Sequence, residues 1–194
     1  MSLALASADG VVLADTRRWL HRAVIGLNLC PFAKAVDAKG QIHYAVSRSV
    51  GFNDLLADLD QELKDLLALV PAERDTTLLI APDALAEFLE FNDFLSHANR
   101  LLAKRAYEGV FQIASLHPHY EFADSQPDDV ANFTNRSPYP TLHILREESI
   151  DRAVKAFPHA ESIFQANIDT MRRIERSGWD ALDVGATAHG KIDP

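Results

Sequence analysis

Residues 53–81, NDLLADLDQELKDLLALVPAERDTTLLIA, decide the fold. The first half predicts an amphipathic helix over residues 53–70 that Pro71 ends, because its apolar positions recur three and four residues apart. These positions are Leu56, Leu59, Leu63, Leu66, Leu67 and Val70. The second half, residues 76–81, is a short apolar run with β-branched residues, typical of a strand buried on both faces. A helix followed by a buried strand is the building unit of an α/β domain.

The same alternation continues on both sides of this stretch. Residues 42–47 predict a strand before it, and residues 110–115 and 141–146 predict two strands after it. Helices are predicted over residues 15–29 with Asp15 as N-cap, over residues 82–107 with Gly109 as the stop, over residues 150–157, and over residues 161–176 ahead of Gly178.

We therefore expect an α/β domain, with α+β as the alternative, spanning residues 13–178 between flexible termini at 1–12 and 179–194. Strand–helix–strand units form parallel crossovers, which predicts a mixed, mostly parallel sheet of about four strands packed with helices. The last strand has no helix before it and is open to antiparallel pairing.

Composition limits the partners. The net charge is −9 and no basic cluster occurs, which argues against nucleic acid. No apolar run reaches the roughly 18 residues of a membrane span, and the N-terminus lacks the basic region of a secretory signal. The single cysteine, Cys30, suits a reducing compartment, so we expect a cytoplasmic protein. The oligomeric state is not indicated.

The long gap between the last two strands, residues 117–140, holds most candidate site residues. Loops beyond about 12–15 residues are usually functional or disordered. Four aromatic residues and four prolines favour an ordered loop here. Ordered loops at the ends of buried strands are where α/β folds bind ligands.

Two histidines of residues 117–146 are candidate catalytic groups. His117 is a candidate general acid or base at a strand end, or a residue that holds the loop through backbone carbonyls. His143 lies inside the last strand, either near His117 or as a core histidine. Side chains alternate along a strand, so His143 and Arg146 are expected on opposite faces.

Arginine binds carboxylate and phosphate in a planar, bidentate manner, so Arg136 and Arg146 are candidate anion-binding residues. Arg136 has a second interpretation, in which it braces the loop through carbonyls or Asp129. The residues expected to orient a ligand beside it carry amide or hydroxyl groups: Asn132, Asn135, Tyr120 and Ser137.

No cofactor is predicted, but a divalent metal is an alternative. The ligands would be His117, His143 and Asp129, with His119 beside them. A His-x-His pair alone is a weak signal for metal.

Cys30 precedes Pro31, a residue typical of a first helical position. As an N-cap, Cys30 would have its thiolate stabilised by the helix dipole and would serve as a nucleophile. The alternative is a small buried hydrophobic residue at a helix bend.

Three segments resemble one known family. CPFA at residues 30–33, QIASLHPHYEF at 112–122 and DDVANFTNRSPYPTLHILRE at 128–147 are similar to an uncharacterised bacterial family, domain of unknown function 1415. The resemblance covers roughly residues 19–173. It implies the fold of that family and a bacterial context, and it implies no particular activity.

The leading hypothesis is an enzyme that acts on a small anionic metabolite by hydrolysis or group transfer, with His117 moving a proton and Arg136 and Arg146 holding the acid group. Redox chemistry fits less well, since no nucleotide-binding glycine motif occurs. The alternatives are a non-catalytic ligand-binding or partner-binding domain, and a metal-dependent hydrolase.

Overall fold

The computed structural model describes residues 7–157 and 162–187. Its strands are β1 (Ile42–Val46), β2 (Thr76–Ile80), β3 (Phe111–Leu116) and β4 (Thr141–Arg146). Its α-helices are α1 (Ala8–Trp19), α2 (Ala33–Ala38), α3 (Phe52–Ala68), α4 (Phe88–Lys104), α5 (Glu147–Ala156) and α6 (Ile163–Ala181). A π-helical stretch, Leu20–Ile25, continues α1, and a 3-10 helix, Val130–Asn135, lies between β3 and β4.

The four strands form one sheet in the order β1–β2–β4–β3. β1 pairs parallel with β2, whereas β4 pairs antiparallel with both β2 and β3. The α/β class and the mixed sheet are confirmed, but the expectation of a mostly parallel sheet is wrong. The reason is that β4 follows β3 without a crossover helix, so it returns antiparallel and separates β2 from β3.

Helices α3 and α4 cover one side of the sheet, here called the α3/α4 face. Leu55, Leu59, Leu63 and Leu66 of α3 are fully buried there, with Phe91 and Phe94 of α4. The helix period is as predicted, but the stripe is rotated: Leu55 belongs to the core, while Leu67 is 47% and Val70 57% exposed.

The other side of the sheet, here called the α1 face, packs against α1 and its π-helical continuation. Trp19 and Leu20 pack there with Leu78 and Ile80 of β2 and with Tyr139. All five residues of β2 are buried, which confirms that this strand has protein on both faces.

The chain is ordered further at its N-terminal side than predicted. Helix α1 begins at Ala8, and the Ser7 hydroxyl caps it by accepting a hydrogen bond from the Gly10 amide. Residues 8–12 are therefore helical instead of part of a flexible arm, and residues 1–6 lie outside the described chain. Asp15 is not the N-cap; it lies inside α1 and is buried.

Asp15 instead anchors residues near the other end of the chain. Its carboxylate accepts hydrogen bonds from the Tyr139 hydroxyl at 2.7 Å and from the Thr187 amide at 2.7 Å, and it pairs with Arg18. Burial raises the pKa of Asp15, but the bonds from Thr187 and Tyr139 and the charge of Arg18 outweigh it and lower the pKa.

The C-terminal segment is held by the same region. Helix α6 continues past Gly178, the expected stop, and kinks at Glu175, where φ is 57°. Val184 is buried, and the Arg18 guanidinium donates to the carbonyls of Asp183 and Gly185. Residues 179–187 are therefore held in place instead of forming part of a flexible terminus, and residues 188–194 lie outside the described chain.

Helix α4 begins later than predicted. Residues 81–87 form an irregular turn in which Leu85 has a φ of 56°, and the helix starts at Phe88. None of the described helices combines the length and apolar composition that a membrane span requires.

Arg146 joins the sheet to the end of α3. This buried side chain donates to the carbonyls of Leu66 and Leu69, both at 2.6 Å, and to the carbonyl of Arg74. The last carbonyls of a helix lack intrahelical partners, and the negative end of the helix dipole attracts a cation at this position. Arg146 therefore caps α3.

Replacing Arg146 by methionine tests this cap. The Arg146→Met variant keeps the apolar stem but removes the guanidinium donor that the carbonyls of Leu66, Leu69 and Arg74 share. We therefore expect a loss of about 3 kcal/mol in the free energy of unfolding, measured by urea denaturation. The control is Arg152→Met, which removes a side chain 60% exposed and should cost under about 1 kcal/mol. Equal losses in the two variants would contradict the capping role.

Candidate functional site

His117 follows β3 and is completely buried, against the rings of Phe88 and Phe91 at centroid distances of 5.3 and 5.1 Å. Its Nδ1 accepts the His119 backbone amide at 3.0 Å, so Nε2 carries the proton and donates to the Leu85 carbonyl at 2.9 Å. Burial lowers the pKa of His117, which favours the neutral ring that these two hydrogen bonds require. Both nitrogens are occupied, so the geometry fits the loop-holding interpretation of His117.

Asn132 organises the loop after β3. Its side chain is fully buried; Oδ1 accepts from the Phe122 amide at 3.0 Å and the Ser125 hydroxyl at 2.7 Å, and Nδ2 donates to the Gln126 carbonyl at 2.8 Å. The Asn135 carbonyl accepts the His117 amide at 3.2 Å. The side-chain amide of Asn132 therefore forms its hydrogen bonds within the loop.

Arg136 braces the same loop. Its guanidinium donates to the Pro127 carbonyl at 2.9 Å and lies 4.1 Å from the centre of the Phe133 ring. Burial and the nearby Arg176 lower its pKa. These contacts match the bracing interpretation, although the partners are carbonyls and an aromatic ring instead of Asp129.

The remaining predicted orienting residues also make internal contacts. Ser137 is buried and donates to the Tyr139 carbonyl at 2.7 Å. The Tyr120 ring packs on Phe88 at 5.2 Å and on Phe122 at 5.1 Å. The Asn135 side chain accepts the Thr134 hydroxyl at 3.3 Å.

The predicted residues of β4 do not join His117. Thr141 pairs with Leu116, so β4 does start near His117, as antiparallel pairing predicts. His143, however, lies between Leu78 and Ala114 and shares their α1 face, whereas His117 belongs to the alternate positions that face α3 and α4. Arg146 lies at the opposite end of the strand and caps α3. The prediction that the side chains of His143 and Arg146 lie on opposite faces of β4 is confirmed.

His143 is partly buried and has no hydrogen bond within the described chain. Every buried side-chain nitrogen and oxygen among the described residues has a partner, so the unpaired ring nitrogens of His143 must retain access to solvent. Burial lowers its pKa to about 4, and the ring is neutral at pH 7. The ring nitrogens of His143 thus have no hydrogen bond to any described residue.

Cys30 is not an N-cap. Helix α2 begins at Ala33, whose amide donates to the Cys30 carbonyl at 3.2 Å, and the thiol is partly exposed. Both ring nitrogens of His117 bond other groups, the Leu85 carbonyl and the His119 amide, so neither is paired with the Cys30 thiol.

The predicted metal ligands do not assemble. The Asp129 carboxylate caps the 3-10 helix by accepting the Ala131 amide at 2.9 Å, and His117 and His143 lie on opposite faces of the sheet. In residues 7–157 and 162–187, no three His, Cys, Asp or Glu side chains are placed to hold a metal ion.

A polar cleft that we did not predict from the sequence lies between β1 and α3, here called the β1–α3 cleft. Its volume is about 430 Å³. The polar residues that line it are Ser47, Arg48, Ser49, Asp58, Gln61 and Glu62. It opens where β1 ends, and the carboxyl ends of parallel strands are common ligand sites in α/β folds.

Asp58 organises this cleft. Its Oδ2 accepts hydrogen bonds from the Ser47 hydroxyl at 2.5 Å and the Ser49 hydroxyl at 2.8 Å, whereas no described residue bonds Oδ1 or forms an ion pair with Asp58. The other charges are matched: Arg48 pairs with Asp9 at 2.6 Å and Asp83 at 2.9 Å, and Glu62 pairs with Arg74. Asp58 therefore carries the unmatched charge of the cleft.

A second cleft of about 340 Å³ lies on the opposite face of β1, here called the α1–β1 cleft. Ile42 and Tyr44 of β1 line it with Arg17, whose guanidinium lies 5.0 Å from the Tyr44 ring centre. His21 and Asp37, 3.0 Å apart, close the other side. Both clefts thus border the same edge strand.

The sequence carried a weak signal for the first cleft. Asp58 and Glu62 are acidic residues four apart, beside the buried Leu55, Leu59 and Leu63 of α3. The Ser-Arg-Ser run at 47–49 follows directly after β1. Each is ordinary alone, and only the packing of α3 beside β1 brings them together.

Fold and cleft together define an α/β domain with a mixed four-stranded sheet and an open polar cleft beside its edge strand. The chain belongs to the family described as protein of unknown function (DUF1415), whose family model matches residues 11–181. This match confirms the resemblance of the three sequence segments and extends beyond it at both ends. No curated protein and no solved structure matches the chain.

The lowered pKa of His143 predicts a pH dependence of stability. The unfolded chain binds a proton near the ordinary pKa of 6.5 and the folded chain only near 4, so the unfolded state holds more protons between these values. Stability should therefore fall as the pH falls from 6.5 to 4. We expect the wild type to lose about 2 kcal/mol more than His143→Gln between pH 7.5 and 5, by urea unfolding.

The control is His97→Gln, which removes an exposed histidine of α4 and should follow the wild-type pH dependence. If His143→Gln lost as much stability as the wild type over this range, the lowering of the His143 pKa by partial burial would be disproved.

Proposed function

We propose that the protein is a binding domain that takes a compact cationic group in the β1–α3 cleft. The observation that carries the proposal is the Asp58 carboxylate, which holds two serine hydroxyls and has no cationic partner among the described residues. This is the non-catalytic alternative of the sequence analysis, with a ligand of opposite charge to the leading hypothesis.

The acceptors of the cleft suit an ammonium group. Ser47 and Ser49 each spend their single hydroxyl proton on Asp58, so their oxygens can only accept further hydrogen bonds. Ser47 already accepts the Ser49 amide at 3.2 Å, which leaves Ser49 Oγ and Asp58 Oδ1 as open acceptors. An ammonium group carries donors and no acceptor, which complements this arrangement.

Charge argues against an anionic ligand here. The guanidinium of Arg48 is already shared between two carboxylates, and burial of an anion beside Asp58 and Glu62 would bring like charges together. The net charge of −9 also raises the local concentration of cations around the protein.

A second candidate function is an enzyme of the hydrolase or transferase class with His143 as general base. The supporting observation is that its unpaired ring nitrogens retain solvent access on the α1 face. A pKa of about 4 makes this imidazole a weak base at neutral pH, so this candidate ranks second.

Titration calorimetry with agmatine and with succinate tests the first proposal. We expect binding of agmatine and none of succinate. Asp58→Asn keeps an oxygen that accepts the serine hydroxyls but removes the charge, and should weaken agmatine binding about 10- to 100-fold.

Asp93→Asn is the matched control, because it removes one charge from an exposed position of α4 outside the cleft. It should bind agmatine like the wild type. The proposal fails if agmatine does not bind, if succinate binds more tightly, or if the two variants lose affinity equally.

A further inference from the structure

The outer edge of β1 carries unused backbone hydrogen-bonding groups. The Ser47 amide donates to Ile80 and the Gln41 carbonyl accepts from Thr76, so the odd-numbered residues of this segment face β2. Amide and carbonyl directions alternate along a strand, and the groups of Ile42, Tyr44 and Val46 therefore point outward. No described residue bonds them.

The residues of β1 itself include none of the types that usually protect an edge strand. Natural edge strands carry lysines, prolines or bulges that discourage pairing with another chain. The strand sequence, IHYAV, contains none of these residues and pairs in continuous register with β2. An unprotected edge is a template for an added strand.

The two clefts border this edge on opposite faces of the sheet. Side chains of an added strand alternate between the two faces. Those beside the carboxyl end of β1 can therefore reach the β1–α3 cleft, and those on the other face beside Ile42 and Tyr44 can reach the α1–β1 cleft. The first cleft presents Asp58 and Glu62, whereas the second presents Ile42 and Tyr44 with Arg17 above the ring.

We propose that β1 is a strand-addition surface for an extended peptide in which basic and apolar residues alternate. The basic side chains enter the β1–α3 cleft, and the apolar side chains pack on Ile42 and Tyr44 in the α1–β1 cleft. This inference rests on the proposed function, because the basic side chain supplies the cationic group that Asp58 binds.

Charge favours such a peptide over a second copy of this chain. Antiparallel pairing of two β1 strands would extend one sheet and bring both α3 helices to the same face. Asp58 and Glu62 of the two copies would then lie side by side, and each chain carries a net charge of −9. A basic peptide meets the same surface with opposite charge.

The test uses the full chain and a short synthetic peptide of alternating lysine and valine, with affinity measured by calorimetry and amide protection by NMR hydrogen exchange. In the protein alone, the amides of Tyr44 and Val46 should exchange fast and those of His43, Ala45 and Ser47 slowly. Saturating peptide should protect Tyr44 and Val46 at least about tenfold.

Two changes remove backbone pairing without changing charge. A peptide methylated on alternate backbone nitrogens loses its donors on the pairing edge, and Val46→Pro loses an outward amide that the ladder with β2 does not use. Each should weaken binding at least about tenfold. A glutamate–valine peptide should not bind, because it carries the wrong charge for Asp58.

Strand addition is overturned if the lysine–valine peptide does not bind, or if it binds without protecting Tyr44 and Val46. Two methylated peptides are needed, one for each of the two alternating sets of backbone nitrogens, and strand addition is overturned if both bind as well as the unmethylated peptide. It is also overturned if Tyr44 and Val46 are already protected in the protein alone in a concentration-dependent manner, which would assign the edge to a second copy. Binding that Asp58→Asn weakens without edge protection refutes strand addition alone. Failure of agmatine to bind refutes the proposed function beneath it.

Discussion

The antiparallel pairing of β4 with both β2 and β3 constrains the rest of the structure. It seals the centre of the sheet and leaves β1 and β3 as the edges. It also makes β3 and β4 neighbours whose adjoining ends are joined by residues 117–140, far longer than the two to five residues of a hairpin. A loop of this length keeps one conformation only if its polar groups find partners. Many of these partners lie within the loop, and Leu85, Asp15 and Trp19 provide others from outside it.

That requirement explains why the polar residues of the loop form a scaffold. His117 ties the end of β3 to the turn before α4, Asn132 closes the segment from Phe122 to Gln126, and Arg136 spans from Pro127 to Phe133. Buried polar groups are costly unless they are paired, so such a network selects specific amide and guanidinium groups for structural reasons. A segment rich in polar side chains can therefore have a purely structural role.

The sequence pattern predicted the structural features that depend on residues close together in the chain. The bounds of β4 and the opposite directions of His143 and Arg146 follow from strand alternation, and the period of α3 follows from its leucines. The partners of polar residues could not be predicted in this way. Arg146 bonds Leu66, 80 residues away, His117 bonds Leu85, 32 residues away, and Asp15 bonds Thr187, 172 residues away. The β1–α3 cleft was missed because it forms only where α3 packs beside β1.

We propose that the binding surface lies at the edge of β1 and not in the loop after β3, because Asp58 has an open acceptor there and the backbone has open pairing groups. Mapping amide chemical shifts of the labelled protein during titration with agmatine tests this relocation most directly. We expect the largest changes on residues 45–49 and 58–62. Largest changes within residues 117–137 would contradict it and return the site to the loop.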